Sequence, residues 1–213
     1  MKRLESAIEN LYSAFSDASK PESIDGCTHC LDDKDRDTLL STPLRQIEPD
    51  DISSYASSAF LTLGDMPDYL YFLPRILEIS ATADWWWPDI EVTGRAIGNT
   101  EPNIWEPTRR KALNEFLSAK LSRLIETENF DPVDDWMCGI AKMGLEVGPF
   151  LEIIETDRAA IYAYYERNSE QLDEGQLSNA FWDPPNAGHD AIVQWLKSEK
   201  ITKTWNEFLL RDD

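Results

Sequence analysis

Apolar residues recur along this chain at intervals of three and four, the spacing of one face of an α-helix, and runs of strict alternation are absent. Leu4, Ile8, Leu11 and Phe15 form the first such stripe, with Glu5, Glu9 and Asp17 off it. Pro21 and Gly26 then interrupt the pattern. The charged run LDDKDRDT over 31–38 predicts one short helix leading into LLSTPL. EPDDISSYASSAFLTLG opens on a proline with acidic caps and stops at Gly64, with Ile52, Tyr55, Ala56, Ala59 and Leu63 on one face. DMPDYLYFLPRILEIS starts in the same way, and Pro74 inside it predicts a kinked or split helix.

A polar and aromatic connector follows from Ala81 to Glu106, with a short helix near Ile90–Ile97. PTRRKALNEFLSAKLSRLIET carries the clearest stripe, through Leu113, Phe116, Leu117, Leu121, Leu124 and Ile125. In FDPVDDWMCGIAKMG, Asp131 is the predicted N-cap, Pro132 lies in the first turn and Gly144 is the stop. GPFLEIIE and DRAAIYAYYERN predict two more helices, and GHDAIVQWLKS with ITKTWNEFLL a closing pair. The echo of LPRILEI in LSRLIET and FLEIIET hints at repeated helical units, but the intervals are unequal, which excludes a regular solenoid. The pattern therefore predicts an all-α fold: a single domain over 1–213, of about eight to eleven helices packed as irregular helical hairpins.

Composition agrees with a packed chain. Hydrophobic residues make up 42% of its 213 positions, against disorder, and only nine are glycine, which suits helices better than a turn-rich β fold. No apolar run approaches the ~20 residues needed to cross a bilayer. The amino-terminal stretch MKRLESAIENLYSAF is broken by Glu5, Glu9 and Asn10, unlike a secretory leader, so a cytoplasmic address is expected. Charge changes the picture most. Forty Asp and Glu face twenty Lys and Arg, a net charge of −20. Such a surface repels nucleic-acid phosphates and anionic membranes, and would attract a basic protein partner; solubility and a halophilic host are the plainer accounts of the same charge.

The corner IDGCTHC holds two of the three cysteines and one of the two histidines. Cys27 and Cys30, at i and i+3, could grip a metal as half of a zinc site, or act as a redox pair. The other soft ligands are His29, lying between them; Cys138, in an apolar helix; and His189, which caps the helix of DAIVQWL or sits on its surface. A CxxC without its second half is a weak motif, so the favoured reading is a structural corner turning at Gly26, with no metal and no cofactor.

Eight tryptophans stand out, three of them consecutive in WWWPDI. Trp136, Trp195 and Trp205 sit on apolar helix faces and fit core packing. Trp85, Trp86 and Trp87 cannot all face inward, so at least one is expected at the surface or in a groove, where tryptophan serves as a binding anchor. The acidic pairs Asp32–Asp33, Asp50–Asp51 and Asp134–Asp135 fall at predicted helix starts, where Asp satisfies free N–H groups. Arg109, Arg110 and Lys111 open a helix as a solvated face. No phosphate loop, dinucleotide fingerprint, zinc-protease helix or nucleophile elbow is present, and two histidines leave little room for a Ser–His–Asp arrangement.

The segments IDGCTHC and LSTPLRQIEPDDISSYASSAFLTLGDMPDYLYFLPRILEI, continuing through GLEVGPFLEI and FWDPPNAGHDAIVQWL, resemble a family of uncharacterised bacterial proteins with a GCxxC corner. That resemblance implies an all-α protein and carries over no catalytic residues. A looser similarity, of size and acidity only, is to immunity proteins of bacterial toxin systems. Together these features lead to the expectation of a non-enzymatic acidic binding protein that neutralises a basic, nuclease-type toxin. Its partner-binding residues would be Asp32, Asp33, Asp35 and Asp37, Trp85, Trp86 and Trp87, and Asp134 with Asp135. The alternatives are a metal-dependent or redox enzyme using Cys27 and Cys30, and a plain interaction scaffold.

Overall fold

The computed structural model describes residues 2–182 and 186–210. Eleven α-helices run through them in order: α1 (Lys2–Ala14), α2 (Asp33–Ser41), α3 (Pro49–Ser58), α4 (Met66–Thr82), α5 (Ile90–Gly98), α6 (Pro107–Glu126), α7 (Val133–Lys142), α8 (Gly148–Ile154), α9 (Arg158–Leu172), α10 (Ala187–Leu196) and α11 (Glu199–Leu209). The described residues contain no β-strand, only isolated bridges at Gly26–Leu63 and Ala59–Leu63. The fold is all-α, and one contiguous apolar cluster draws residues from every helix between α1 and α11. None of the described helices is long and apolar enough to cross a membrane.

Sequence chemistry accounts for most helix starts. Asp32, Asp65 and Asp157 accept hydrogen bonds from the backbone N–H three residues on, and Asn186 caps α10 through the N–H groups of Gly188 and His189. Prolines occupy the first turns of α3, α4, α6 and α8, where a missing N–H removes no hydrogen bond. Two expectations shift. Pro132 rather than Asp131 takes the N-cap position of α7. Pro74 does not split α4, which continues for 17 residues. Phe72, Leu73, Ile76 and Leu77 are fully buried on either side of it, and this packing holds the helix across the lost backbone bond. Arg75 adds a tie, donating from Nε to the Ile47 carbonyl at 2.8 Å and from Nη1 to Glu78 at 2.7 Å, while Tyr12 of α1 donates to the same Glu78 carboxylate at 2.5 Å.

The most extensive helix contacts join partners far apart in sequence, α1 with α6 and α5 with α7. The α5–α7 crossing is unusually close. A Cβ placed on Gly94 would lie 2.3 Å from the Gly139 carbonyl oxygen, and one on Gly98 would lie 2.4 Å from that of Lys142. Gly139 answers from α7, its own Cβ position 3.0 Å from the Ile90 carbonyl oxygen. Only glycine lets two helix backbones meet at this distance. The spacing is visible in the sequence as GRAIG, a glycine at i and i+4 on one helix face, a signal that apolar periodicity does not register. This crossing brings the acidic first turns of both helices side by side.

Candidate functional site

At those first turns the surface opens into a cleft of about 640 Å³. The connector after α4 contributes Asp84, Trp85, Trp86 and Asp89; α5 contributes Glu91; α7 contributes Asp135 and Trp136. Arg167 of α9 and the 178–181 turn close the far side. The neighbouring positions 134 and 135 point about 100° apart on α7, and they meet different surroundings. Asp135 is half-buried at the cleft wall, whereas Asp134 is fully buried beneath it.

Polar contacts hold this arrangement. Asn179 donates from Nδ2 to Glu91 Oε1 at 2.7 Å and to Asp135 Oδ1 at 3.1 Å, joining the two helix starts. Its own Oδ1 accepts from the Phe181 N–H at 2.8 Å, which sets the turn. Asn168 is wholly buried. It donates to Asp134 Oδ1 at 3.3 Å and accepts from the N–H of Ser178 at 2.9 Å, so α9, α7 and the turn share one amide. Arg167 lies 3.6 Å from Asp134 through Nε and 3.9 Å from Asp135 through Nη2.

Asp84 and Asp89 are exposed, whereas Glu91, Asp134 and Asp135 are poorly solvated. Burial pushes Glu91 up to about 7, with Asp135 and Asp89 adding to the effect and Asn179 opposing it. Asp134 is raised by burial against the pull of Asn168 and Arg167. Asp135 is raised by burial too, and Asp134 and Asp89 reinforce that shift while Arg167 opposes it. Glu91 is only 2% exposed, and its Oε2 has no hydrogen-bond partner in the protein; the indole N–H of Trp86 is likewise buried without one. Aromatic surface frames these groups: Trp85 is 72% exposed, Phe181 38%, and Trp86 packs partly on the core. The arrangement suits a ligand that is cationic and can lie against aromatic faces.

The structure brings together three of the residues singled out from sequence, Trp85, Trp86 and Asp135. Trp87 is 48% exposed but outside the lining of the cleft. Asp134 must be corrected as a surface contact: it is fully buried, engaged by Asn168 and Arg167, and presents nothing to a partner. Asp32, Asp33, Asp35 and Asp37 lie away from the cleft lining, at the start of α2, where Asp32 caps the helix by accepting from the Asp35 N–H at 2.8 Å. Asp32, Asp33 and Asp37 are exposed and Asp35 is half-buried. Sequence reasoning missed Asp84, Asp89, Glu91, Arg167, Asn168 and Asn179. Glu91 carried a faint signal as an acidic residue in a helix's first turn; the two asparagines carried none.

The cysteine corner is a docking point between segments. Gly26, at φ +128°, sits where a Cβ would fall 2.1 Å from the Thr62 carbonyl oxygen, and Cys27 donates its N–H to that oxygen at 2.9 Å. Gly64 returns the contact by donating to the Asp25 carbonyl at 2.9 Å. Both thiols are free and half-buried. Cys27 is lowered, first by a hydrogen bond from the Cys30 thiol and then by the N–H groups of His29 and Cys30. Among the described residues no group of three or more His, Cys, Asp or Glu converges on a point that could hold a metal ion.

Two further expectations change. His189 is buried instead of surface-bound, edge-on to Trp182 at 5.4 Å, and Asn186 does the capping. Arg109 is not merely solvated: it pairs with Asp17 at 2.7 Å and covers the Phe15 ring.

Fold and site together define an all-α protein with an acidic, aromatic-walled cleft at the crossing of two helices. Comparison with protein-family models, with curated proteins and with solved structures finds no match to this chain.

Proposed function

We propose that this protein is a non-enzymatic, cytoplasmic, acidic binding protein that captures and neutralises a basic protein, of the kind represented by nuclease-type bacterial toxins. The observation that carries the reading is the cleft itself: among the described residues that line it, Asp84, Asp89, Glu91 and Asp135 face one cation, Arg167, and Trp85 stands exposed at the rim. Exposed tryptophan beside unneutralised carboxylate is the chemistry of an anchor for a cationic surface. A net charge of −20 adds long-range steering, which can raise association rates by about 10–10³-fold. The exposed carboxylates of α2, Asp32, Asp33 and Asp37, are assigned to steering rather than to anchoring.

Affinity capture from the host, or against the product of the adjacent gene, tests this at low and high salt. A basic partner retained at low salt, released at high salt and lost with Trp85→Ala supports the reading. Retention of no basic protein at low salt, together with no sensitivity to a neighbouring toxin on gene deletion, refutes it. A second reading, a thiol-dependent enzyme, rests on the lowered Cys27 thiol beside Cys30. It requires turnover of a small substrate by the isolated protein and loss of that turnover in Cys27→Ser.

A further inference from the structure

We infer that the cleft between α5, α7 and the 178–181 turn receives the guanidinium of one arginine side chain of the partner, bound by Glu91 Oε2 and Asp135 and flanked by Trp85 and Phe181. This rests on the binding reading above and specifies its chemistry. Three observations lead to it. A cleft of about 640 Å³ has room for a side chain and its flanking backbone. Glu91 is only 2% exposed, with one carboxylate oxygen satisfied by Asn179 and the other without a partner. Buried acceptors are almost always hydrogen-bonded, so this oxygen calls for a donor from outside the chain. Finally, Trp86 lines the same cleft with a buried indole N–H that lacks an acceptor. A peptide-borne arginine supplies both needs, donors from its guanidinium and an acceptor from a neighbouring carbonyl; a bare metal ion has no N–H to donate, and a free amine brings donors but no carbonyl acceptor.

Guanidinium is favoured over ammonium on physical grounds. It is flat, so it can lie on an aromatic face while its edge donates to carboxylates. Its weaker hydration also lowers the cost of entering a half-buried site. Arg167, 3.9 Å from Asp135 and almost half exposed, contacts this wall only loosely and leaves Glu91 Oε2 unserved.

Binding should depend on pH through Glu91, whose surroundings are Asp89 at the start of its own helix, Asp135 and Cys138 from α7, and Arg167 of α9 in the wall of the same cleft. A cation favours the ionised carboxylate. With Glu91 titrating at about 7, affinity should rise about tenfold from pH 6 to pH 8. Roughly half a proton should be released on binding at pH 7, and nearly a whole one at pH 6.

The probe is N-acetyl-arginine amide, titrated by tryptophan fluorescence and calorimetry at low salt, beside the matching lysine and citrulline amides. The expected result is saturable binding of the arginine probe, at least about tenfold tighter than citrulline and several-fold tighter than lysine, with the pH rise and proton release. Glu91→Gln should weaken binding at pH 8 by about tenfold or more and abolish the pH dependence; Asp135→Asn, which keeps Glu91, should weaken it while retaining the pH rise. Equal binding of arginine and citrulline, or arginine binding indifferent to both substitutions, overturns the inference. The partner arm separates the two claims. A basic partner retained equally by Glu91→Gln and not displaced by the arginine probe leaves the binding reading standing and overturns the arginine site. Probe binding that depends on Glu91, with no basic protein captured, supports the guanidinium site and overturns the protein-partner reading.

Discussion

Replacing Glu91 by glutamine should stabilise the free protein at alkaline pH. The substituted side chain would keep an oxygen to accept the Asn179 hydrogen bond and remove a charge from a site 2% exposed. The magnitude follows from proton linkage. Glu91 titrates at about 7 in the folded chain against an ordinary 4.5. The folded state therefore holds a proton that the unfolded state gives up. Below pH 4.5 both states are protonated and no penalty arises. Between 4.5 and 7 stability falls as pH rises, and above 7 the full penalty stands at up to about 3 kcal/mol. Water in the open cleft screens part of it, so about 1–3 kcal/mol is a fair range. For a chain of this size that corresponds to a rise in Tm of about 2–4 °C per kcal/mol. The assay is thermal or urea unfolding of parent and variant at about pH 4.5 and pH 8, comparing their difference at each pH, which removes contributions common to both, such as Asp134 and Asp68. A large gain at the higher pH and almost none at the lower is expected. Equal destabilisation at both values would falsify the argument, because it would mean that Glu91 makes a favourable contact whatever its charge. Combined with the weakened arginine binding expected of the same variant, the outcome is a more stable protein that binds less, the mark of a site strained for its ligand.

Other outcomes follow from the packing. Gly94→Ala should cost about 1–3 kcal/mol in urea unfolding despite alanine's better helix propensity, because its Cβ would lie 2.3 Å from a backbone oxygen of α7; a neutral effect would mean the crossing can widen freely. Asn168→Ala should cost about 2–4 kcal/mol, as it strips a hydrogen bond from the buried Asp134 and releases the 178 turn; a loss below about 0.5 kcal/mol would show that water replaces the amide. Iodoacetamide should modify Cys27 in the native protein well ahead of Cys138, which is buried and whose thiol burial raises far above the ordinary range; mass spectrometry of a brief alkylation reads the order, and early labelling of Cys138 would show that α7 opens easily.

Helical periodicity, capping aspartates and first-turn prolines made the all-α class and most helix limits legible along the chain, since these are local effects carried by residues a few positions apart. The same local logic placed Trp136 inside and required one of Trp85, Trp86 and Trp87 to remain outside. Locality also set the limit. Asp134 and Asp135 look alike in the sequence, and only the packing of α9 and the 178 turn over α7 decides that one is buried and the other faces a cleft. Glu91 and Asp135 lie on separate helices and meet because Gly94, Gly98 and Gly139 let those helices touch, a fact of the crossing that no single segment expresses. Asn179, a turn residue with no sequence signal, ties the pair together. Charge and secondary structure were thus written in the residues themselves. The elevated Glu91, its unpaired oxygen and the cleft around it exist only once distant helices close on one another and withdraw that side chain from most of its contact with water.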